Sequence, residues 1–138
     1  MCIVMHMSEL PQMQLIDDCE TTTLHPRQVM AARVRLAETP PAEDVARLFS
    51  LLADTTRARL LTALTSGELC VCDLAAATGV NRTTVSHQLK VLRENRVVRR
   101  RREGKVIYYA LDDEHVASLL TMGAAHVGEL READRSTA

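Results

Sequence analysis

Tryptophan is absent from the 138 residues, phenylalanine occurs once and tyrosine twice. A core so poor in aromatics has to be assembled mainly from Leu, Val, Ala and Met, which suits packed helices better than a β-sandwich. Long apolar runs are missing as well. Stretches such as "VMAARVRLA" and "LFSLLA" stop well short of the ~20 residues a bilayer span needs. The opening "MCIVMHM" has neither the basic start nor the length of a secretory signal, so the expected location is the cytoplasm. In a reducing compartment four cysteines are no disulfide framework, and such thiols serve more often as metal ligands or redox groups. No internal repeat or low-complexity tract is present. What remains is a chain 46% hydrophobic, enough for one domain with a modest core that a partner chain would help.

The formal net charge of −1 conceals a strong asymmetry. Residues 81–105 hold nine Lys or Arg against two acids, a net of +7, which leaves −8 for the rest. A concentrated basic segment is the electrostatic footprint of a nucleic-acid contact, although a lone charge run is usually just a solvated face. The surrounding pattern decides between these. Residues 1–40 read as an arm with one short helix after Pro26. Residues 41–138 read as the main domain, opened by Pro41 and the acids Glu43 and Asp44 at a helix start. Val45, Leu48, Phe49 and Leu52 then recur at helical spacing, and Asp54 is placed to cap a second helix that ends at Gly67.

A third helix through Cys72, Leu74 and Ala75 ends at Gly79, and "VNRTTVSHQLKVLREN" follows with Val85, Leu89 and Leu92 on one stripe. Asn81 or Thr83 can cap it. Two short helices across a Gly-containing turn make a helix-turn-helix, whose second helix enters the major groove. Its outward groups, Arg82, Thr84, Ser86, His87, Gln88 and Lys90, with Thr83 beside them, can bond to bases or phosphates. Two β-rich runs, 97–102 and 106–111, flank Glu103-Gly104-Lys105 as a hairpin. The arginines there cannot all be buried, so the hairpin stands in water as a wing, with Arg100, Arg102 and Lys105 candidates for DNA contact. A last helix is expected from Asp112 to about Arg131. The fold expected is mostly α with a small β-hairpin wing, a winged helix-turn-helix, as a homodimer.

Cys70 and Cys72 would diverge by about 200° inside regular helix, but near a helix start both sulfurs can turn one way. That position also favours the thiolate that metals require. Two buried hydrophobes are the plain alternative. Cys19 and His25, from the arm, are the natural supply for the rest of a tetrahedral set. In the last helix, His115 and His126 lie eleven residues apart, close to three turns, and so share a face at a separation of ~16 Å. One chain cannot close a site across that distance. Two antiparallel copies could, with Asp113 and His115 of one meeting His126 and Glu129 of the other. The alternative is an amphipathic dimer helix with incidental charges.

Taken together, "ELCVCDLA", "TTVSHQLKVLRE", "REGKVIYYAL" and "DDEHV" followed by "AAHVGE" resemble the ArsR/SmtB winged-helix repressors that sense metal ions. The likeness is nearest to CadC-like cadmium, lead and zinc sensors and ZiaR-like zinc sensors, and it spans roughly residues 41–131. It implies a homodimer that sits on double-stranded operator DNA when metal-free and leaves it on binding Zn(II), Cd(II) or Pb(II), with no organic cofactor and no membrane partner. The family's thiolate site maps onto Cys70 and Cys72 with Cys19; its last-helix site maps onto Asp113, His115, His126 and Glu129. Two departures stand out. Thr23 occupies the place of a second arm cysteine in CadC-like members, which leaves His25, or Cys2 with His6, to complete the set. Ala75 occupies the place of a third helix cysteine in arsenic sensors, which ranks arsenite lower. An arsenite- or redox-responsive repressor of the same fold is the alternative function. Catalysis is not expected, because neither His-Glu-x-x-His nor Cys-x-x-Cys occurs.

Overall fold

The computed structural model describes residues 24–137, which fall into two compact units, one up to Ala46 and one from Arg47 onward. In the first, α1 (Pro26–Glu38) begins with Pro26, whose missing N–H is no loss at a helix start. It buries no residue and leaves Met30, Val34 and Leu36 exposed. Helix α2 (Ala42–Leu52) starts there with Glu43 and Asp44 in its first turn and continues into the second unit, where Leu48, Leu51 and Leu52 pack against the core.

The second unit follows the order α3 (Thr55–Leu64), β1 (Leu69–Cys70), α4 (Val71–Thr78), α5 (Arg82–Glu94), β2 (Val98–Glu103), β3 (Val106–Leu111) and α6 (Glu114–Thr137). Asp54 accepts from the Arg57 amide at 3.0 Å and caps α3. Leu60, Leu61, Leu74, Val85, Leu89 and Leu92 are fully buried, so α3, α4 and α5 share one aliphatic core, to which Val97 and Val98 also belong. Between α4 and α5 the chain turns at Gly79, whose φ of 74° is a left-handed conformation that glycine adopts without Cβ strain. Asn81 then accepts from the Thr84 amide at 2.9 Å and starts α5. The helix-turn-helix read from the sequence is present, and the cap is Asn81 rather than Thr83.

The strands form an antiparallel sheet in the order β1-β3-β2. The hairpin read from the sequence is there, with two adjustments. Glu103 pairs with Val106, so the turn is Gly104-Lys105 rather than three residues, and Gly104, at φ 61°, supplies the positive φ that a two-residue turn needs at its first position. The two-residue β1, too short to show alternation, adds an edge strand that the sequence reading did not contain. Helix α3 stops at Leu64 rather than at Gly67, because Thr65, Ser66 and Gly67 close as turns on carbonyls of its last residues. Helix α6 begins two residues later than expected and runs to Thr137. Asp112 and Asp113 stay outside it: the Asp112 amide bonds the Val97 carbonyl, and the Asp113 side chain caps the first turn.

Candidate functional site

Three buried residues, Val85, Leu89 and Leu92, fix which side of α5 faces inward. Arg82, Thr83, Ser86, His87 and Lys90 consequently lie exposed on the other side, as the spacing had placed them, while Thr84 is half-buried. Gln88 is different. It is half-buried and its Oε1 accepts from the Arg57 Nε at 2.8 Å, a bond between residues 31 apart that no periodicity could reveal. Because an Arg Nε only donates, this contact fixes the orientation of the Gln88 amide.

On the wing, Arg99, Arg100, Arg102 and Lys105 are exposed, and Arg102 bends back to donate to the Gly104 carbonyl at 2.9 Å. Arg101 is engaged by the protein itself. It donates to Glu103 at 2.8 Å and to Glu68 at 2.7 Å, and its guanidinium sits 4.7 Å above the centre of the Tyr108 ring. The two carboxylates raise its pKa further, chiefly through the Glu103 hydrogen bond. Nothing in the sequence signals the Glu68 partner, 33 positions away, that sets Arg101 apart from its neighbours.

Cys70 closes β1 and is the residue before α4, with an extended ψ of 172°; Cys72 is the second residue of that helix. Cys70 is half-buried, Cys72 is exposed, and both are free thiols. The pair therefore straddles a helix start, Cys70 on extended backbone and Cys72 in the first helical turn. Cys19 lies outside the described residues, as do Cys2, His6 and Thr23. His25 is exposed immediately before α1, in the first unit.

At the head of α6 the Asp113 Oδ1 accepts from the Val116 amide at 3.2 Å, and its Oδ2 lies 3.4 Å from the His115 Nδ1. The Val116 amide, and secondarily His115, hold the Asp113 carboxyl below its ordinary pKa. The 3.4 Å separation is that of a direct His–Asp contact, and it also matches the spacing of two donors on one tetrahedral ion, whose bonds of ~2.0–2.1 Å place neighbouring donors about 3.3–3.4 Å apart. The His115 side chain is 93% exposed. Among the described residues of one chain, no three His, Cys, Asp or Glu come together in a metal-sized cluster. Asp113 and His115 are the two ligand-type side chains that the structure brings together at the head of α6.

The remainder of α6 is largely uncovered. Its inward contacts end with Leu120, and residues 121–137 are all exposed. His115, Leu119, Met122, His126 and Glu129 recur every three or four residues and so form one stripe, with Met122 72% exposed at its centre. The stripe thus sets half-buried Leu119 and exposed Met122 among ligand-type residues, a pattern that suits contact with a second helix.

Residues 54–100 match the arsR family of bacterial regulatory proteins. The chain is 44% identical over 111 residues to the transcriptional repressor SmtB homolog of Synechocystis sp., covering 80% of this chain and 84% of that one. It is 41% identical over 115 residues to the cadmium resistance regulatory protein CadC homolog of Staphylococcus aureus, covering 83% and 94%. Among solved structures, the homodimeric winged helix-turn-helix DNA-binding domain of Mb0332 from Mycobacterium bovis superposes with a TM-score of 0.58 at 38% identity, covering 63% of this chain and 81% of that one.

Proposed function

The chain belongs to the arsR family of bacterial regulatory proteins, and on that premise we propose that it is a metal-responsive transcriptional repressor acting as a homodimer. Metal-free, it holds operator DNA; on binding Zn(II), Cd(II) or Pb(II) it releases that DNA and with it genes for metal efflux or sequestration. Membership makes it a regulator of transcription rather than an enzyme. The reading rests above all on the Asp113–His115 pair, two donors at ligand spacing on a helix whose same face carries His126, Glu129 and an uncovered apolar stripe. Across a two-fold axis Asp113 and His115 would face His126 and Glu129 of the partner subunit, an N/O donor set suited to zinc. Cys70 and Cys72, completed by Cys19 and His25 of the arm, would form a softer set suited to cadmium and lead.

DNA is gripped in this reading by Arg82, Thr83, Thr84, Ser86, His87 and Lys90 of α5, with Arg100, Arg102 and Lys105 of the wing on flanking phosphates. Gln88 contributes through the amide edge that Arg57 leaves available. Two recognition helices must stand ~34 Å apart to reach successive half-sites, so a shared ligand set at the α6 seam that fixes another spacing weakens both contacts at once. The test compares wild type with His115→Ala/His126→Ala and Cys70→Ser/Cys72→Ser dimers on an operator duplex selected from a random pool. Zinc, cadmium, lead and arsenite are titrated under strong reductant. Each variant should keep metal-free DNA affinity and lose release by the ions its site takes; a double variant of both sites that still releases DNA with zinc and cadmium contradicts the assignment.

A further inference from the structure

The thiol pair and the wing are joined through one side chain. In the β1-β3-β2 sheet Cys70 stands opposite Tyr108, and Tyr108 opposite Arg101, so the three form one row across the strands and project from the same face. Arg101 covers that row: its guanidinium lies over the Tyr108 ring and reaches beyond it to Glu68, the residue immediately before β1. It thus ties the outer strand of the wing to the segment that carries Cys70, while Glu103 fixes its other nitrogen at 2.8 Å. By alternation Arg100 and Arg102, on the same strand, project from the opposite face.

We propose that Arg101 is a positioning residue through which the Cys70/Cys72 segment and the wing of the same protomer respond to each other. This rests on the reading that the thiols take a soft metal ion and that the wing meets DNA. The backbone link between the two is thin, since β1 offers only two residue pairs to β3. In this proposal, gathering Cys70 and Cys72 on a common ligand moves the Leu69–Cys70 edge. Glu68 then shifts with it, and Arg101 carries the shift across the sheet to β2. Run the other way, a wing fixed on DNA holds Arg101, Glu68 and hence the thiol segment in place. Exposed ion pairs of this kind contribute little to stability, Arg101 and Glu68 being 49% and 38% exposed, but a coupling needs only about a fivefold difference between states to be regulatory.

The experiment measures how fast Ellman's reagent modifies Cys70 and Cys72 in the reduced, metal-free dimer, with and without the selected operator duplex. Cys2 and Cys19 are replaced by Ser for this purpose. Wild type should show at least a fivefold slowing by DNA. Arg101→Met and Glu68→Gln should each reduce it below twofold, while metal-free operator affinity and the cadmium–thiolate absorption of the otherwise native chain remain within threefold of wild type. The exchanged pair Glu68→Arg/Arg101→Glu should restore most of the slowing. Glu68→Gln keeps the measurement decisive if Arg101→Met loses its fold. Full slowing in both single variants overturns the proposal, and so do wild-type thiols indifferent to DNA. If cadmium–thiolate absorption and DNA binding are intact in those cases, the repressor reading stands without this coupling; if both are missing, the two fall together.

Discussion

Small side chains set the accuracy of the DNA-facing helix. Asn81 bonds the Thr84 amide and fixes where α5 starts, which in turn sets the phase of every outward group from Arg82 to Lys90. Replacing it with Ala should lower unfolding free energy by about 1 kcal/mol, measured by urea denaturation of the dimer at fixed concentration. No change would mean the start is held by packing alone. Asp113 plays the same part for α6, with a pH signature. Its pKa is lowered in the folded chain, first by the Val116 amide, so its stabilising effect is complete above the ordinary carboxylate value and is lost as pH falls through the lowered one. The difference in stability between wild type and Asp113→Ala should therefore be present at about pH 5 and shrink in acid below about 4. A difference that persists undiminished to about pH 2 would show that the carboxylate is not the source.

At the scale of elements, much of the protein was legible because the informative pattern was local. Apolar residues at helical spacing located α2 and α5, the Asp54 cap placed α3, Gly79 and Gly104 marked the recognition turn and the hairpin, and the interval between His115 and His126 put both on one side of α6. What escaped was either short or remote. The two residues of β1 carry no periodicity, and the partners of Gln88 and Arg101 lie 31 and 33 positions away. Arg101 consequently drops out of the charge presented by the wing, and Arg100, Arg102 and Lys105 remain as its proposed phosphate contacts. Each of these replaced singly by Ala should weaken binding to selected and unrelated duplexes alike, and should reduce the slope of log affinity against log salt by about 1 per lost contact. An unchanged slope for all three would remove the wing from the interface.

For the whole molecule, the uneven charge, the uncovered stripe on α6 and the half-complete donor pairs fit one arrangement. In the proposed dimer the stripe would be buried, the donor set would be completed at the seam, and two basic heads would face one duplex. No helix among the described residues is long and apolar enough to cross a membrane. Allosteric release requires that metal and DNA weaken each other by the same factor, commonly ~5- to 150-fold. The direct measurement is the fluorescence anisotropy of a labelled selected duplex titrated with the protein, once with the ions removed by chelator and once at saturating zinc or cadmium, at constant salt. One dimer should bind per palindrome, and at least one of the two ions should raise the dissociation constant fivefold or more. An affinity that neither ion alters, or binding by a single protomer, would contradict the account.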